Sequence, residues 1–275
     1  MPSLGINTSF NRVRPLIDSD VSAFATESGA TDLTGLNNLV KYLKSQSLYS
    51  NFVIYPMKSA QNAGSGSTVY SLGGLTTNDM TLVSSPSWGA TGITFDGVAD
   101  YGSISDFLAT DTLTIFNRVA IDPAPPSAAI TRLYGHGDAS LNSASLGLSY
   151  AGNAAGDPFR LFRSANGQSG LGLQAEFYDT TDEVQTTSDQ CLVNQWVSGG
   201  GRSMWQDKTS LGLTLFSGSA QTEAFNSSAA FIYSALFDNG ALLQPSAQLG
   251  IAPAFLTGSV TTTQRETITD LINAL

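Results

Sequence analysis

The sequence predicts a mainly β protein built as an antiparallel sandwich, and three observations lead there. Short apolar runs recur from about residue 52 to 256, separated by Gly-, Ser- and Asn-rich joints at the spacing of sandwich strands. No amphipathic helix alternates with these runs, which disfavours a doubly wound parallel sheet. The third is the stretch 92–104, Gly-Ile-Thr-Phe-Asp-Gly-Val-Ala-Asp-Tyr-Gly-Ser-Ile, which reads as strand, turn, strand. Ile93 and Phe95 alternate with polar neighbours and share one face. Asp96-Gly97 then reverses the chain, since Asp tolerates a left-handed conformation and Gly has no Cβ to clash. Asp100, Tyr101 and Ile104 resume the sheet beyond the turn, as a hairpin.

Taken in order, residues 1–30 read as an extended N-terminal arm. Leu4, Ile6, Phe10, Val13, Leu16, Ile17, Val21 and Phe24 are too thinly spaced, around Pro15, to form a separate core. The arm is therefore expected to dock on a neighbouring subunit through Phe10, Leu16, Ile17 and Phe24. Burying each of these yields about 1.5–3 kcal/mol before the cost of ordering. Its removal should then leave the remaining domain folded.

Residues 31–50 form a helical segment, with a helix predicted over 32–48. Leu36, Leu39, Val40 and Leu43 follow the i, i+3, i+4, i+7 rule, and Thr31 or Asp32 is available as N-cap. Residues 51–275 make up the sandwich. Its expected strands are 53–55, 69–72, 81–83, 93–95, 113–121, 146–150, 159–162, 171–177, 211–216 and 230–237. In 113–121, Leu113, Ile115, Val119 and Ile121 fall on one face. The chain finishes in a helix, with Thr263 and Glu266 as a capping box and Ile268, Leu271, Ile272 and Leu275 as its apolar stripe.

Composition narrows the function. Of the 275 residues only 12% are charged, and the formal net charge is −10. The 12 Lys and Arg are scattered, so no basic patch is available for DNA or RNA. Small polar residues replace long charged ones, which suits dense β-structures in assemblies, where ordering long side chains costs entropy. Cys191 is the single cysteine, so no intramolecular disulfide forms, and it reads as a small buried apolar side chain. The opening Met-Pro-Ser-Leu-Gly-Ile-Asn has neither a basic nor an apolar signal region. No apolar run reaches the roughly 18 residues a membrane span needs.

The order of elements is more diagnostic than any one motif. The helix with Leu36, Leu39, Val40 and Leu43 leads into Phe52-Val53-Ile54-Tyr55-Pro56. The run Tyr70–Thr76 and Met80–Val83 follow, then the Phe95-Asp96-Gly97 turn, and the chain closes with Ile251, Gly258, Thr261 to Glu266 and the last helix. The Phe-Asp-Gly turn resembles that near the start of concanavalin A-like jelly-roll domains of laminin-G or pentraxin type. The whole order, over about residues 33–275, is similar to tailed-bacteriophage virion proteins that carry such a domain behind a short N-terminal helix. The arm has no counterpart in that pattern, and Ser198–Arg202 departs from its usual strand pair. The resemblance implies a structural protein of a bacteriophage particle, a capsid decoration (cement) or a tail or fibre component. It implies a place in the virion, contacts with other virion proteins, a homo-oligomer and no enzymatic activity. The alternative it leaves open is a lectin-type adhesin holding cell-surface glycan.

The catalytic patterns sought are missing from the sequence. Laminarinase-type glycosidases carry Glu-x-Asp-x-(x)-Glu on one strand face, and none of the five Glu here stands in it. Glu176, Asp179, Asp182 and Glu183 read as a solvated acidic loop. No Gly-x-Ser-x-Gly elbow occurs, and the single His136 lies in a glycine-flanked segment expected to be a loop. Asp138 and Asn142 lack calcium-loop spacing and read as turn residues. Gly64–Ser67 and Gly199–Gly201 lack the Lys-Ser/Thr of a phosphate loop. No cofactor or metal is expected. For a sugar ligand the stacking candidates are Trp205 and Tyr178, each beside polar loop residues, with Trp88 and Trp196 as core or rim.

Overall fold

A strand that alternates in burial needs one apolar neighbour, and a strand buried without interruption needs two. This chain contains both kinds. The computed structural model describes residues 16–107, 112–121, 131–137, 145–150, 159–164, 176–180, 189–197, 201–217, 230–238, 241–243 and 247–275.

Among the described residues, two antiparallel sheets of nine strands each form a sandwich. The first runs Thr209–Leu211, Gly201–Gln206, Gln190–Val197, Thr112–Ile121, Ala247–Thr257, Phe52–Ile54, Leu72–Gly73, with Ile93–Asp96 also on Ala247–Thr257 and Ser87–Trp88 beyond it. The second runs Leu213–Ser217, Glu176–Thr180, Phe159–Ser164, Ser145–Tyr150, Thr131–Gly137, Ala230–Tyr233, Tyr101–Ile104, Met80–Val83, Thr68–Val69. This is the expected mainly β, antiparallel sandwich architecture. As expected too, Leu113, Ile115, Val119 and Ile121 all enter the cluster between the sheets.

That inner cluster centres on rings. Phe255 lies 4.6 Å from both Phe107 and Phe231, edge-on in each case, and 6.1 Å from Tyr55. Buried hydrogen bonds between polar side chains join the sheets inside it. Asn194 Nδ2 donates to the Tyr134 hydroxyl at 2.7 Å, and the Tyr233 hydroxyl donates to Asn117 Oδ1 at 2.9 Å. Burial pushes both phenols well above their usual range.

The outer face of the first sheet is covered by three helices, which explains why its central strands, Phe52–Ile54, Thr112–Ile121 and Ala247–Thr257, are buried almost without interruption. Helix α1 is Ser19–Ser28, α2 is Thr34–Ser45 and α3 is Thr262–Asn273. They share a second apolar cluster with Phe52, Ile54, Phe116, Val193, Ala254 and Leu256. Helix α2 buries Leu36, Leu39, Val40 and Leu43 as expected. Its N-cap position is Leu33, with no side-chain cap, because Thr31 and Asp32 instead give their backbone N–H groups to the Ala60 carbonyl. The capping box of α3 is Thr261 with Gln264, two residues before the expected pair, and Glu266 turns to Arg265 at 3.2 Å. The far end of α3 is held by Arg118. This buried side chain grips Asp189 through two bonds, of 2.9 and 2.6 Å, and donates to the Ile272 carbonyl at 3.1 Å.

Three further expectations are corrected. Residues 19–28 of the arm are helical, with Asp18 as N-cap and Gly29, at φ 75°, as left-handed C-cap. Val21 and Phe24 are buried against the chain's own sheet and α2, so Phe24 is not free to anchor on a neighbour. Asn37 accepts the Asp18 N–H at 2.8 Å, and Lys44 reaches Asp18 and Asp20 at 2.6 and 2.7 Å. The hydrogen bond from Lys44 holds the Asp18 carboxyl below its usual range. Second, the Asp96-Gly97 turn does not close a hairpin: Ile93–Asp96 belongs to the first sheet and Tyr101–Ile104 to the second. The turn is a crossover, fixed by Asp96 Oδ1 accepting from the N–H groups of Val98, Ala99 and Asp100 at 2.8–3.0 Å. Third, His136 lies in strand Thr131–Gly137, opposite Leu146 and Phe231, rather than in a loop.

Candidate functional site

The chain crosses between sheets a second time just before the Asp96 turn. Met80–Val83 ends in the second sheet, Ser84-Ser85-Pro86 spans the edge, and Ser87–Trp88 begins in the first, paired to Ile93–Asp96. So short a link forces unusual backbone. Ser84 and Ser85 stand consecutively at φ 64° and 70°, a conformation that costs a non-glycine residue about 1–3 kcal/mol where it is held. Facing this link is the loop Gly64–Ser67, in which Gly64 and Gly66 are left-handed as well. The loop is pinned twice: the Ser67 carbonyl accepts the Leu82 N–H at 2.7 Å, and the Gly66 carbonyl accepts the Trp88 indole N–H at 3.0 Å.

Between loop and link lies an open groove of about 600 Å³, lined by Gly64–Ser67, Leu82, Ser84–Pro86 and Trp88. Ser65, Ser67, Ser84 and Ser85 are exposed, and each hydroxyl both donates and accepts. Trp88 is half-buried, packed at one side against the inner core. None of the described residues lining the groove is charged. An apolar ring fixed beside four free hydroxyls can take a flat, hydroxylated ligand.

The sequence-predicted residues fall elsewhere. Trp205 is 9% exposed in the outer cluster, with the Arg265 guanidinium 3.9 Å above its ring, so no sugar can stack there. Tyr178 lies in strand Glu176–Thr180 of the second sheet, between Leu161 and Leu215, and its side chain is outside the described residues. The structure therefore separates the pair onto different sheets. Leu16 and Ile17 precede α1 and are exposed, at 84% and 37%, whereas Phe10 lies outside the described residues. Trp196 belongs to the inner core, as read. Cys191 is buried, and burial pushes its thiol well above the usual range. Glu176 and Asp179 stand in a strand, not a loop, while Asp182, Glu183, Asp138 and Asn142 lie outside the described residues. Among the described residues no three His, Cys, Asp or Glu gather as a metal site, and no helix is long and apolar enough to cross a membrane.

Trp205 thus carries a structural prediction. Trp205→Ala should lower unfolding free energy by about 3 kcal/mol, because a buried ring and the Arg265 contact vanish together. Urea denaturation checks this, and a change below about 1 kcal/mol would contradict the packing described.

No protein-family model matches the sequence, and no curated protein matches it. Among solved structures it is similar to Trypanosoma rangeli sialidase, with a TM-score of 0.53 and 15% identity over 87% of this chain and 39% of that one. It is more weakly similar to a native heptameric SAP-like pentraxin from Limulus polyphemus, at TM-score 0.40 and 11% identity, covering 80% and 82% of the two chains. The Ruminococcus gnavus IT-sialidase CBM40 gives 0.43 and 10%, covering 60% and 84%. At such identity the sialidase likeness is one of fold and brings no activity with it. This chain spans about two-fifths of the sialidase's length. The fold defines a mainly β antiparallel sandwich with helices at both ends of the chain.

Proposed function

We propose that the chain is a non-enzymatic structural component of a bacteriophage particle, a capsid decoration or a tail or fibre protein acting through protein contacts. The observation that supports it most is the order of elements: helix, Phe52–Pro56, the Phe95-Asp96-Gly97 turn and the closing helix, as in tailed-phage virion proteins. Leu16 and Ile17 add to it, since they expose apolar surface directly before a firmly docked helix. Mass spectrometry of purified particles should find the chain in many copies, and its absence from them ends this reading. Leu16→Asp with Ile17→Asp should reduce incorporation into particles and leave the melting temperature of the isolated chain unchanged. Equal incorporation would place the docking surface elsewhere.

A second reading, a glycan-binding sandwich of lectin type on the particle surface, is favoured by the serine-lined groove beside Trp88. A glycan array probed with oligomeric protein tests it.

A further inference from the structure

We propose that the Trp88 groove binds an uncharged saccharide, one ring lying on the indole and its hydroxyls meeting Ser65, Ser67, Ser84 and Ser85, and that it rejects acidic sugars. The inference rests on the glycan reading and names the site and ligand class within it.

Three features of the groove lead to this ligand. The first is orientation. The indole N–H is already donated to the Gly66 carbonyl, so the Trp88 ring is held in a fixed pose and contributes apolar surface rather than a hydrogen bond. A pose set before binding removes ordering cost from the complex. The second is the supply of hydroxyls, two from each wall, all exposed and each able to donate or accept. A sugar ring presents the same dual-use groups around its edge and C–H bonds on its face, so it matches both parts of the lining. The third is charge. No described lining residue is basic, so the carboxylate of a sialic or uronic acid, or a sulfate, would enter without a partner and lose hydration. The chain's net charge of −10 repels such ligands at longer range as well. A basic peptide fits no better, for want of a lining carboxylate. The groove's size lies inside the range of about 300–1,000 Å³ usual for small-ligand sites.

The test uses the full chain, displayed multivalently, against immobilised neutral oligosaccharides and their sialylated counterparts. Neutral glycans should bind, and sialylated ones about tenfold more weakly or not at all. Trp88→Ala should weaken binding by about tenfold or more, and Trp88→Phe should keep most of it. Should Trp88→Ala melt far below the parent, Ser65→Trp replaces it: that exposed position fills the groove from the solvent side and should block binding in a folded protein. Glycan binding that survives these changes would leave the lectin reading standing and remove the groove from it. A preference for sialylated ligands would overturn the ligand class. No binding to any glycan by the parent protein would remove the lectin reading itself.

Discussion

Phe255→Ala is expected to destabilise the protein by about 4–5 kcal/mol, near the top of the range for deleting a buried phenylalanine. Phe255 is fully buried in strand Ala247–Thr257, and its ring is the common neighbour of Phe107, Phe231 and Tyr55. Truncation opens a cavity walled by rigid rings from both sheets, which cannot collapse onto an alanine as flexible aliphatic chains do. The edge-on contacts, worth about 0.5–1.5 kcal/mol each beyond area burial, are lost as well. Phe255→Leu restores volume but not the contacts, and should recover more than half the loss. Denaturant unfolding of the three proteins measures this. An alanine variant within about 1.5 kcal/mol of the parent would mean the cluster relaxes freely, contrary to the packing.

Phe24→Ala should cost about 3 kcal/mol, or a fall of roughly 6–12 °C in melting temperature for a chain of this size. The reason is that α1 is held to the domain by Val21 and Phe24 on its apolar side. The salt bridges of Lys44 with Asp18 and Asp20 are partly exposed and screened, and they cannot compensate. Removing residues 1–17 keeps Asp18 as N-cap and should leave stability unchanged, whereas removing 1–30 strips the cover from α2 and the sheet. If Phe24→Ala melts with the parent, α1 is not an integral layer, and Phe24 is again available to a partner. Calorimetry of the two truncations and the point variant separates the cases.

The same helix shows what could be read from residues alone. Asp18 and Gly29 are start and stop signals spaced for three turns, but thin apolar spacing argued against a helix, since two side chains make a poor stripe. The stripe of α2 was plain because four residues recur at helical period. Leu113–Ile121 was legible because its inner face alternates, even though Phe116 and Arg118 serve the other side. Gln190–Val197 has no such alternation, being buried by sheet on one face and helix on the other, and it was missed. Ala247–Thr257 was missed because Gly250 and Pro253 argue against a central strand. The structure accommodates Pro253 where the pairing with Phe52–Ile54 has just ended, its carbonyl still accepting the Tyr55 N–H at 2.9 Å. The site was less accessible. Trp88 follows Ser87 and Trp205 precedes Gln206, and what tells them apart is Arg265, brought over one ring by a helix that follows much later. The groove itself requires two loops that meet only because the chain changes sheets at Ser84–Pro86.

Strand Ala247–Thr257 also sets a timetable. It pairs with Thr112–Ile121 along one side and with Phe52–Ile54 and Ile93–Asp96 along the other, yet a ribosome makes all three before it. Until it emerges, the middle of the first sheet is a gap between bare strand edges, apolar on both faces. Contacts closing over so much intervening chain form slowly. The half-made protein must therefore pass through a period in which its stickiest surfaces await their partner. Crowded translation of many copies on one message would make that period its main hazard, with strand exchange between neighbouring nascent chains as the characteristic error.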